Sequence, residues 1–317
     1  MTSIKKLNLG LLALLWTSNA FAVTEFATTV CSSGCDYTAF STAEAALDDA
    51  GSLTDGTVKT GSWDNKSGSN IADATAVTWD AGASTGTLIH MTATQYLIDV
   101  ASGTLDDNDT VTDGTNSFQV NGAPDSAGIG IDCAENATFS DNVTVSGNTS
   151  NASNYVRIGV LAPYRHNGTS STGCKIQTTV NAFTVNLQEH SSVVEWLRIG
   201  ENVSSASNLG CVTTSNTFGK WNIGVRNVIV ENCNSSGIGV WGGINLDHSA
   251  NTGNPVNYII DSIVYGSEST GIFISAPATG KDVTIDNVSL YNNGGWGISV
   301  GGNGLQTIKN CLAVGNA

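Results

Sequence analysis

Charged residues and long apolar runs are both scarce in this chain. Only 12% of its 317 residues are charged, and 12 lysines and arginines stand against 27 aspartates and glutamates, a net charge of −15. Such a chain is a poor partner for nucleic acid, whose phosphates need a basic face. Gly, Ser, Thr and Asn dominate between short apolar runs. Because these residues are middling or poor helix formers, we expect short strands and many turns rather than long helices.

The apolar run that stands out lies at the N-terminus. Two lysines precede the stretch Leu7–Trp16, and Ala20-Phe21-Ala22 fits an A-x-A cleavage site. The run is too short to span a bilayer, and the pattern is that of a secretory signal over residues 1–22. We therefore expect a secreted or cell-surface protein without a membrane span. Its mature part would carry 10 basic and 27 acidic side chains, a net charge of −17.

All seven cysteines follow the expected signal, so export permits disulfide bonds. Cys31 and Cys35 flank a Ser-Ser-Gly turn and can pair locally, while the pairing of the other five stays open. No C-x-x-C pair is present, which leaves a structural zinc site with little support. Cys311 falls at an apolar position of a repeat, which favours a small buried side chain over a reactive thiol.

The C-terminal part of the sequence repeats itself. Val225–Val240, Ile260–Ile274 and Ile285–Val300 can be aligned, and a further copy starts at Ile308. Each copy is about one coil of a β-solenoid, in which strands stack on those of the neighbouring coils. Strand alternation then turns three pairs of residues into the core together: Ile238 and Val240, Ile272 and Ile274, Ile298 and Val300. It also turns Ile263 and Tyr265 inward.

The same alignment creates two polar columns. One stacks Asn227, Ser262, Asn287 and Asn310, whose side chains can hydrogen-bond from coil to coil. The preceding residues form a column of mostly alternating sign: Glu195, Arg226, Asp261, Asp286 and Lys309. Asp261 and Asp286 would be neighbours about 4.8 Å apart. Solvated turn residues are the plainer interpretation, and a shared proton or a bound cation is the alternative.

Three further segments complete the expected organisation. Residues 23–54 form an N-terminal cap with a helix over Tyr37–Ala50, where Ser41 to Glu44 fits a capping box. Residues 55–122 alternate apolar and polar side chains between turn clusters, which predicts a small inserted antiparallel β unit. Residues 123–317 form the solenoid, and because the last copy stops partway through a coil we expect a longer protein.

Three segments carry a family resemblance: Val160–Thr169 (VLAPYRHNGT), Val193–Leu197 (VVEWL) and Arg226–Val230 (RNVIV). Together with the repeat they resemble right-handed parallel β-helix proteins of the pectate-lyase-like superfamily, in particular secreted repeat proteins from environmental bacteria. The resemblance covers about residues 37–55 and 136–317. It implies an all-β fold, a right-handed parallel β-helix with an N-terminal capping helix and the inserted unit. The superfamily includes lyases, hydrolases and non-enzymatic adhesins. The N-T-D, D-D, G-H-G and R-I-K motifs of its polygalacturonase-like members are missing after Asp125, so no catalytic residue is carried over.

The candidate site residues are few. Asp247 and His248 lie in an expected excursion, Gly242–Pro255, where a carboxylate beside a histidine suits acid–base work on a sugar, although an ordinary polar loop is the plainer interpretation. Arg226 lies near Asp261 in the charged column, as a lyase arginine would. By strand alternation Trp241 is expected to face outward, where it would offer a platform for a sugar ring, although covering a neighbouring loop is the plainer interpretation.

Two further candidates have plainer structural interpretations. Arg165-His166 is expected to tie a loop to backbone carbonyl groups. Three aspartates of one turn are calcium candidates, although a polar hairpin tip is the plainer interpretation: Asp106, Asp107 and Asp109.

We expect a structural, adhesin-like or carbohydrate-binding module at the cell surface, with a polysaccharide or cell-surface glycan as partner. A polysaccharide lyase or glycoside hydrolase is the alternative. A trimeric phage-type fibre is a third interpretation, which the export signal disfavours. No cofactor is required, and Ca²⁺ is compatible with the acidic turns.

Overall fold

The structure, a computed structural model, describes residues 24–48, 52–180, 182–201, 210–214, 222–233, 242–247, 256–275, 282–301 and 305–317. The expected signal segment, Ile238, Val240, Trp241 and His248 lie outside these ranges. Among the residues described, no helix is long and apolar enough to cross a membrane.

The described part is built from short strands and one α-helix. In chain order they are β1 Thr24–Val30, α1 Phe40–Leu47, β2 Val58–Ser67, β3 Thr75–Trp79, β4 Ser84–Met91, β5 Gln95–Ser102, β6 Thr110–Thr112, β7 Ser117–Cys133, β8 Thr138–Phe139, β9 Val143–Val145, β10 Val156–Val160, β11 Lys175–Thr178, β12 Val185–Leu187, β13 Ser192–Glu195, β14 Arg198–Glu201, β15 Val212–Thr214, β16 Gly224–Arg226, β17 Ile229–Glu231, β18 Gly242–Asp247, β19 Val256–Ile260, β20 Ile263–Tyr265, β21 Thr270–Ser275, β22 Asp282–Asp286, β23 Ser289–Tyr291, β24 Ile298–Val300, β25 Gln306–Lys309 and β26 Leu312–Val314.

From β7 onward the chain visits three parallel sheets in a fixed order. The first parallel sheet contains β1, the second half of β7, β10, β13, β16, β19, β22 and β25. The second contains β8, β11, β14, β17, β20, β23 and β26, and the third contains β9, β12, β15, β18, β21 and β24. One strand from each sheet makes one coil. The expectations of an all-β chain and of parallel stacking are therefore confirmed.

Apolar side chains stack from coil to coil inside the three sheets. In the third sheet Ile244 pairs with Ile272, which pairs with Ile298. The residue of the preceding coil that is in register with Ile272 is thus Ile244. The sequence alignment had placed Ile238 there. The alignment placed the extra residues of this coil after the strand, whereas Gly242 to Asp247 form β18 itself. The expected excursion over Gly242–Pro255 is therefore wrong at its start.

A second correction concerns the charged column of the first sheet. Ile260, not Asp261, is in register with Arg226 and with Asp286. Asp261 has a positive φ of 50°, like Asn227 at 52° and Asn287 at 54°. Aspartate and asparagine adopt this left-handed conformation more readily than most residues, so Asp261 takes the asparagine position of the corner.

The slip of one residue also changes which side chains face the core. Ser262 stands beside Val228 and Val288 and is buried with them. Val264 is buried between Val230 and Leu290. Ile263 and Tyr265, expected inside, are half-buried on the outer face.

The segment predicted to be an inserted antiparallel unit is a closed barrel. Its strand order is β2-β5-β4-β3-β6-β7, and β7 pairs again with β2 to close the ring. The antiparallel prediction is confirmed, while closure was not foreseen. The barrel has its own core: Ile71, Val77, Trp79, Leu88, Met91, Tyr96, Ile98, Leu105, Val111, Phe118 and Val120. Strand β7 is continuous, so its first half belongs to the barrel and its second half to the first parallel sheet.

Helix α1 is shorter than predicted and has a different N-terminus. Ala39 is the N-cap and makes no side-chain bond, so the predicted capping box is wrong. Ser41 already lies inside the helix, and its backbone N–H and hydroxyl donate to Asp141 at 2.9 and 2.7 Å. Glu44 accepts from the backbone N–H of Ser146 at 2.7 Å. The carboxylate of Asp141, 100 residues further along the chain, therefore accepts the hydrogen bonds that the first turn of α1 donates.

Three disulfides join cysteines of the described part. They are Cys31–Cys35, which confirms the local pairing, Cys133–Cys174 and Cys211–Cys233. Cys311 is free and half-buried against the core.

Candidate functional site

The outer face of the first parallel sheet carries the densest set of charged contacts in the described chain. Register places Asp132, Gly159, Glu195 and Arg226 in one column across β7, β10, β13 and β16. The neighbouring column on the same face contains Arg157 of β10. Since alternate residues of a strand face the same side, these side chains project together away from the core.

Glycines make room for the Arg157 side chain to lie flat on the sheet. A Cβ atom added to Gly130 would lie 2.9 Å from Arg157 Nη2 and 2.5 Å from Glu25 Oε1. A Cβ atom on Gly159 would collide with Arg157 Nη1 and would lie 2.9 Å from Asp132 Oδ1. Any larger residue would push the guanidinium off the sheet, so both glycines are required by close approach.

The guanidinium of Arg157 joins carboxylates from three strands. Its Nε and Nη2 donate to the two oxygens of Glu25 at 2.9 and 2.5 Å. Its Nη1 and Nη2 donate to Asp132, both at 2.7 Å, and Nη1 also reaches Glu195 at 3.3 Å. Glu195 in turn accepts from Arg226 Nε at 2.6 Å. We call Glu25, Asp132, Arg157, Glu195 and Arg226 the Arg157 cluster.

The Arg157 cluster is largely shielded from water, and its charges nearly cancel. The side chains of Asp132, Glu195 and Arg157 are 6, 8 and 11% exposed. Burial alone would lower the pKa of Arg157, but the hydrogen bonds to Glu25 and Asp132 raise it above its ordinary value. Three carboxylates against two guanidinium groups leave a net charge of −1.

Two tyrosines border the cluster, and one of its members, Arg226, is exposed. The Tyr155 hydroxyl donates to Glu25 at 3.0 Å, and burial together with the Glu25 charge raises the pKa of Tyr155 to about 12. Tyr258 lies over Gly224, where any Cβ would meet its hydroxyl group. Arg226 keeps 41% of its side chain exposed. The exposed end of the cluster therefore presents the Arg226 guanidinium beside the Tyr258 ring.

A second group of charges lies on the second parallel sheet. Glu231 accepts from Lys175 Nζ and Arg198 Nη2, both at 2.8 Å, and from the hydroxyl of Tyr265. Burial alone would raise the pKa of Glu231, but the bonds from Lys175 and Tyr265 hold it below its ordinary range. With three donors on one carboxylate that is 3% exposed, this group stabilises the sheet rather than offering a free acid or base.

Asp261 and Asp286, the cation candidates of the charged column, are not in register, although the backbone N–H of Asp261 donates to the carbonyl of Asp286 at 3.1 Å. The Asp261 carboxylate accepts from the Asn287 amide at 2.7 Å. The Asp286 carboxylate accepts from the Asn310 amide at 2.9 Å and pairs with Lys309 at 3.1 Å. The Asn310 hydrogen bond lowers the pKa of Asp286. The predicted register of the two acids is therefore wrong, each has an amide partner, and cation binding by them stays a prediction.

The calcium candidates of the hairpin tip bind backbone groups. Asp109 accepts from the backbone N–H of Asp106 at 2.7 Å, and Asp107 accepts from that of Gly122 at 2.8 Å. Burial raises the pKa of Asp109. Within the described ranges, no three His, Cys, Asp or Glu side chains are grouped to hold a metal ion. Calcium binding stays a prediction.

Of the remaining predicted site residues, some lie within the described ranges and some lie outside them. Asp247 ends β18, in register with Ser275, whereas His248 and Trp241 lie outside the described residues. Their roles in catalysis and sugar stacking stay predictions. Arg165 donates to the carbonyl of Val160 at 3.1 Å, which confirms its structural role in the loop.

The partners of the Arg165-His166 loop lie on the sheets beneath it. The Arg165 guanidinium stacks on the Trp196 ring at 4.7 Å. His166 donates from Nε2 to the carbonyl of Asn227 at 2.7 Å and accepts the N–H of Gly168 at Nδ1. Burial lowers the pKa of His166, which favours this neutral form.

Sequence reasoning found Arg226 and Glu195 but missed Arg157, Asp132 and Glu25. The usable signal was a pair of glycines, Gly130 and Gly159, at outward positions beside an arginine in otherwise apolar strands. Glu25 had no local signal, because it lies 132 residues before its partner Arg157.

Comparisons with known proteins give no further support for any assignment: no family model, no curated protein and no solved structure matches this chain.

Proposed function

We propose that the chain is a right-handed parallel β-helix protein of the pectate-lyase-like type, with α1 as its N-terminal cap. The fixed order of visits to three parallel sheets supports the solenoid. Crossover connections between parallel strands of one sheet are right-handed in nearly all proteins, which supports the hand. Helix α1 packs on strands β7 and β9 of the first coil and buries Phe40, Ala43 and Leu47 there, as a cap would.

We propose that this exported protein is a structural, adhesin-like module that binds a neutral polysaccharide or cell-surface glycan along the first parallel sheet. The observation that carries this is the exposed guanidinium of Arg226, which the buried ion pairs of the Arg157 cluster hold in place on the sheet. The side chains of the cluster are already fixed by one another, so a ligand would order few of them on binding. Such preorganisation lowers the entropic penalty of association.

Charge selects the class of glycan. The cluster has a net charge of −1, and the whole chain has a net charge of −15. A polyanion such as a uronate polymer or a nucleic acid is repelled by both. A neutral glycan is not repelled, and its hydroxyl groups both donate to carboxylates and accept from arginine.

The same geometry favours binding over hydrolysis on this face. A glycosidase needs one carboxyl group to hold a proton and a second to act as base or nucleophile. All three carboxylates of the cluster accept hydrogen bonds from the Arg157 guanidinium, so none of them is left free to act as the proton donor or as the nucleophile. The face is therefore better suited to holding a glycan than to cleaving it.

A glycan array combined with a reducing-end release assay tests the proposal. We expect neutral glycans to be retained without release of reducing ends. Arg226→Met should weaken retention about tenfold, because an exposed charged donor is lost. Lys309→Met is the matched control, since Lys309 is an exposed cation of the same column three strands further along the sheet. Equal binding by Arg226→Met and the wild type would refute the face as the binding site, and release of reducing ends would replace the binding function by hydrolysis.

A further inference from the structure

The barrel borders a cavity whose lining contains no residue of the Arg157 cluster. Its volume is about 490 Å³, and its walls come from residues 55–57, 59, 100–106 and 123–124. Sites for small molecules in proteins have volumes of this order. The walls combine apolar side chains, among them Val100, Leu105 and Pro124, with charged ones.

Lys59 stands on the inner side of the barrel beside this cavity. In the β2–β5 ladder Lys59 is opposite Ile98, and Gly61 is opposite Tyr96. Directly opposed residues of an antiparallel pair project to the same side of the sheet. Ile98 and Tyr96 belong to the barrel core. The Lys59 side chain therefore leaves the sheet on the interior side, and Lys59 itself lines the cavity.

Lys59 differs from every other basic residue of the described part in having no partner. Lys66, on the same strand, donates to Asn70 at 2.7 Å and lies over the Trp63 ring. The remaining described cations all have carboxylate, carbonyl or ring partners: Arg157, Arg165, Lys175, Arg198, Arg226 and Lys309. Lys59 is half-buried, and no described protein group uses its hydrogen-bond donors, so they are available to a ligand.

A second polar group inside the barrel also lacks a protein partner. The hydroxyl of Tyr96 is fully buried and has no hydrogen-bond partner among the described residues. It lies against Gly61, where a Cβ atom would be 2.7 Å away. Lys59 and Tyr96 are thus two interior-facing residues of neighbouring strands whose hydrogen-bonding capacity the protein leaves unused, and of the two only Lys59 lines the cavity.

Two carboxylates complete the cavity without neutralising Lys59. Asp55 and Asp106 line the same space, and neither forms an ion pair with Lys59. Asp55 accepts from the backbone N–H and the hydroxyl of Thr57 at 3.0 and 2.7 Å, and these bonds lower its pKa, so it is ionised. The cavity is therefore lined by one donor, Lys59, and two acceptors, Asp55 and Asp106, that are not paired with it. Their three charges sum to −1.

We propose that the cavity bordered by the barrel is a binding site for a neutral, hydroxyl-rich ring of hexose size. One hydroxyl group of the sugar accepts a hydrogen bond from Lys59, and the adjacent hydroxyl group donates one to Asp106. The ring thereby bridges two charged side chains that do not contact each other in the protein. The C–H face of the ring packs against Val100, Leu105 and Pro124. The net negative charge disfavours a sugar acid. This site is separate from the first parallel sheet and does not depend on the function proposed for it.

The test uses the full exported chain and a panel of methyl glycosides of glucose, galactose and mannose, with glucuronate as the anionic probe. Saturation-transfer NMR identifies binders, and calorimetric titration gives Kd. We expect at least one neutral glycoside to bind saturably. Lys59→Met should raise its Kd at least about tenfold, because one charged hydrogen bond is lost. Asp106→Asn should raise it as well.

Lys66→Met is the matched control, since Lys66 lies on the same strand outside the cavity, and it should leave Kd unchanged. Near-ultraviolet circular dichroism of Trp63 and Trp79 reports whether each variant keeps its barrel. No saturable neutral binder, or an equal Kd for a folded Lys59→Met variant, overturns the site. Binding of glucuronate alone overturns the ligand class. Arg226→Met should not change Kd here, so failure at this site and failure on the sheet face are told apart.

Discussion

Replacing Arg157 by methionine tests the central ionic contact of the first parallel sheet. Methionine retains a long apolar stem but removes all five hydrogen bonds of the guanidinium to Glu25, Asp132 and Glu195. The three carboxylates would keep their places on the sheet without their shared counter-charge. The free energy of unfolding should fall sharply as a result.

The magnitude follows from how exposed each orphaned carboxylate is. Glu195 keeps Arg226, and Glu25 keeps Tyr155 and is 22% exposed, so both are partly compensated. Asp132 loses two bonds of 2.7 Å at a side chain that is only 6% exposed. Breaking a buried ion pair costs about 3–5 kcal/mol, and we expect about 4 kcal/mol for Arg157→Met. Simple addition of five charged bonds would give more, but such terms are not additive.

Urea unfolding at neutral pH, with the disulfides oxidised, measures the loss. Arg226→Met is the control, because Arg226 is 41% exposed and its single ion pair should contribute less than about 1 kcal/mol. Adding Asp132→Asn to Arg157→Met should recover part of the stability, since the buried charge is then gone. Equal losses for the two arginine variants, or no recovery in the double variant, would refute the reasoning.

Two further predictions concern helix α1 and the disulfides. Burial, opposed in part by the Ser146 hydrogen bond, raises the pKa of Glu44 to about 8. The stability that the protonated Glu44 side chain contributes is complete below the ordinary pKa of 4.5 and is lost as the pH rises through about 8. Glu44→Gln should therefore reduce the fall in the urea midpoint between about pH 5 and pH 8, and an unchanged profile would contradict this assignment. Cys133 and Cys174 lie 41 residues apart, so replacing both by alanine should cost about 4 kcal/mol against about 2 for Cys31 and Cys35, and calorimetry of both double variants would expose a reversed order.

The repeat predicted the stacking of coils well because aliphatic residues recur at fixed positions of each copy. It predicted the register of one coil badly, because Asp261-Ser262 was matched by letter to Asp286-Asn287. Backbone conformation decides the match instead, since Asp261 takes the left-handed corner that Asn287 takes in the next coil. An alignment by side-chain type could not see that aspartate and asparagine are interchangeable at such a corner.

The candidate sites were less predictable than the coils because they depend on distant parts of the chain. The Arg157 cluster combines β1 with strands that follow the barrel, and no local pattern links Glu25 to Asp132. The barrel cavity depends on closure of the ring between β7 and β2. The antiparallel alternation was visible in the sequence, but alternation alone does not say whether a sheet closes.

The position of the Arg157 cluster has a physical reason that connects the barrel to the solenoid. Strand β1 pairs with the second half of β7, and the segment between the two strands contains the helix and most of the barrel. Bringing together the ends of a flexible segment of roughly 100 residues costs about 4 kcal/mol in chain entropy. Arg157 joins Glu25 of β1 to Asp132 of β7 at that junction. The cluster therefore links the strand before the inserted unit to the strand after it, and its loss should open a junction that chain entropy already disfavours.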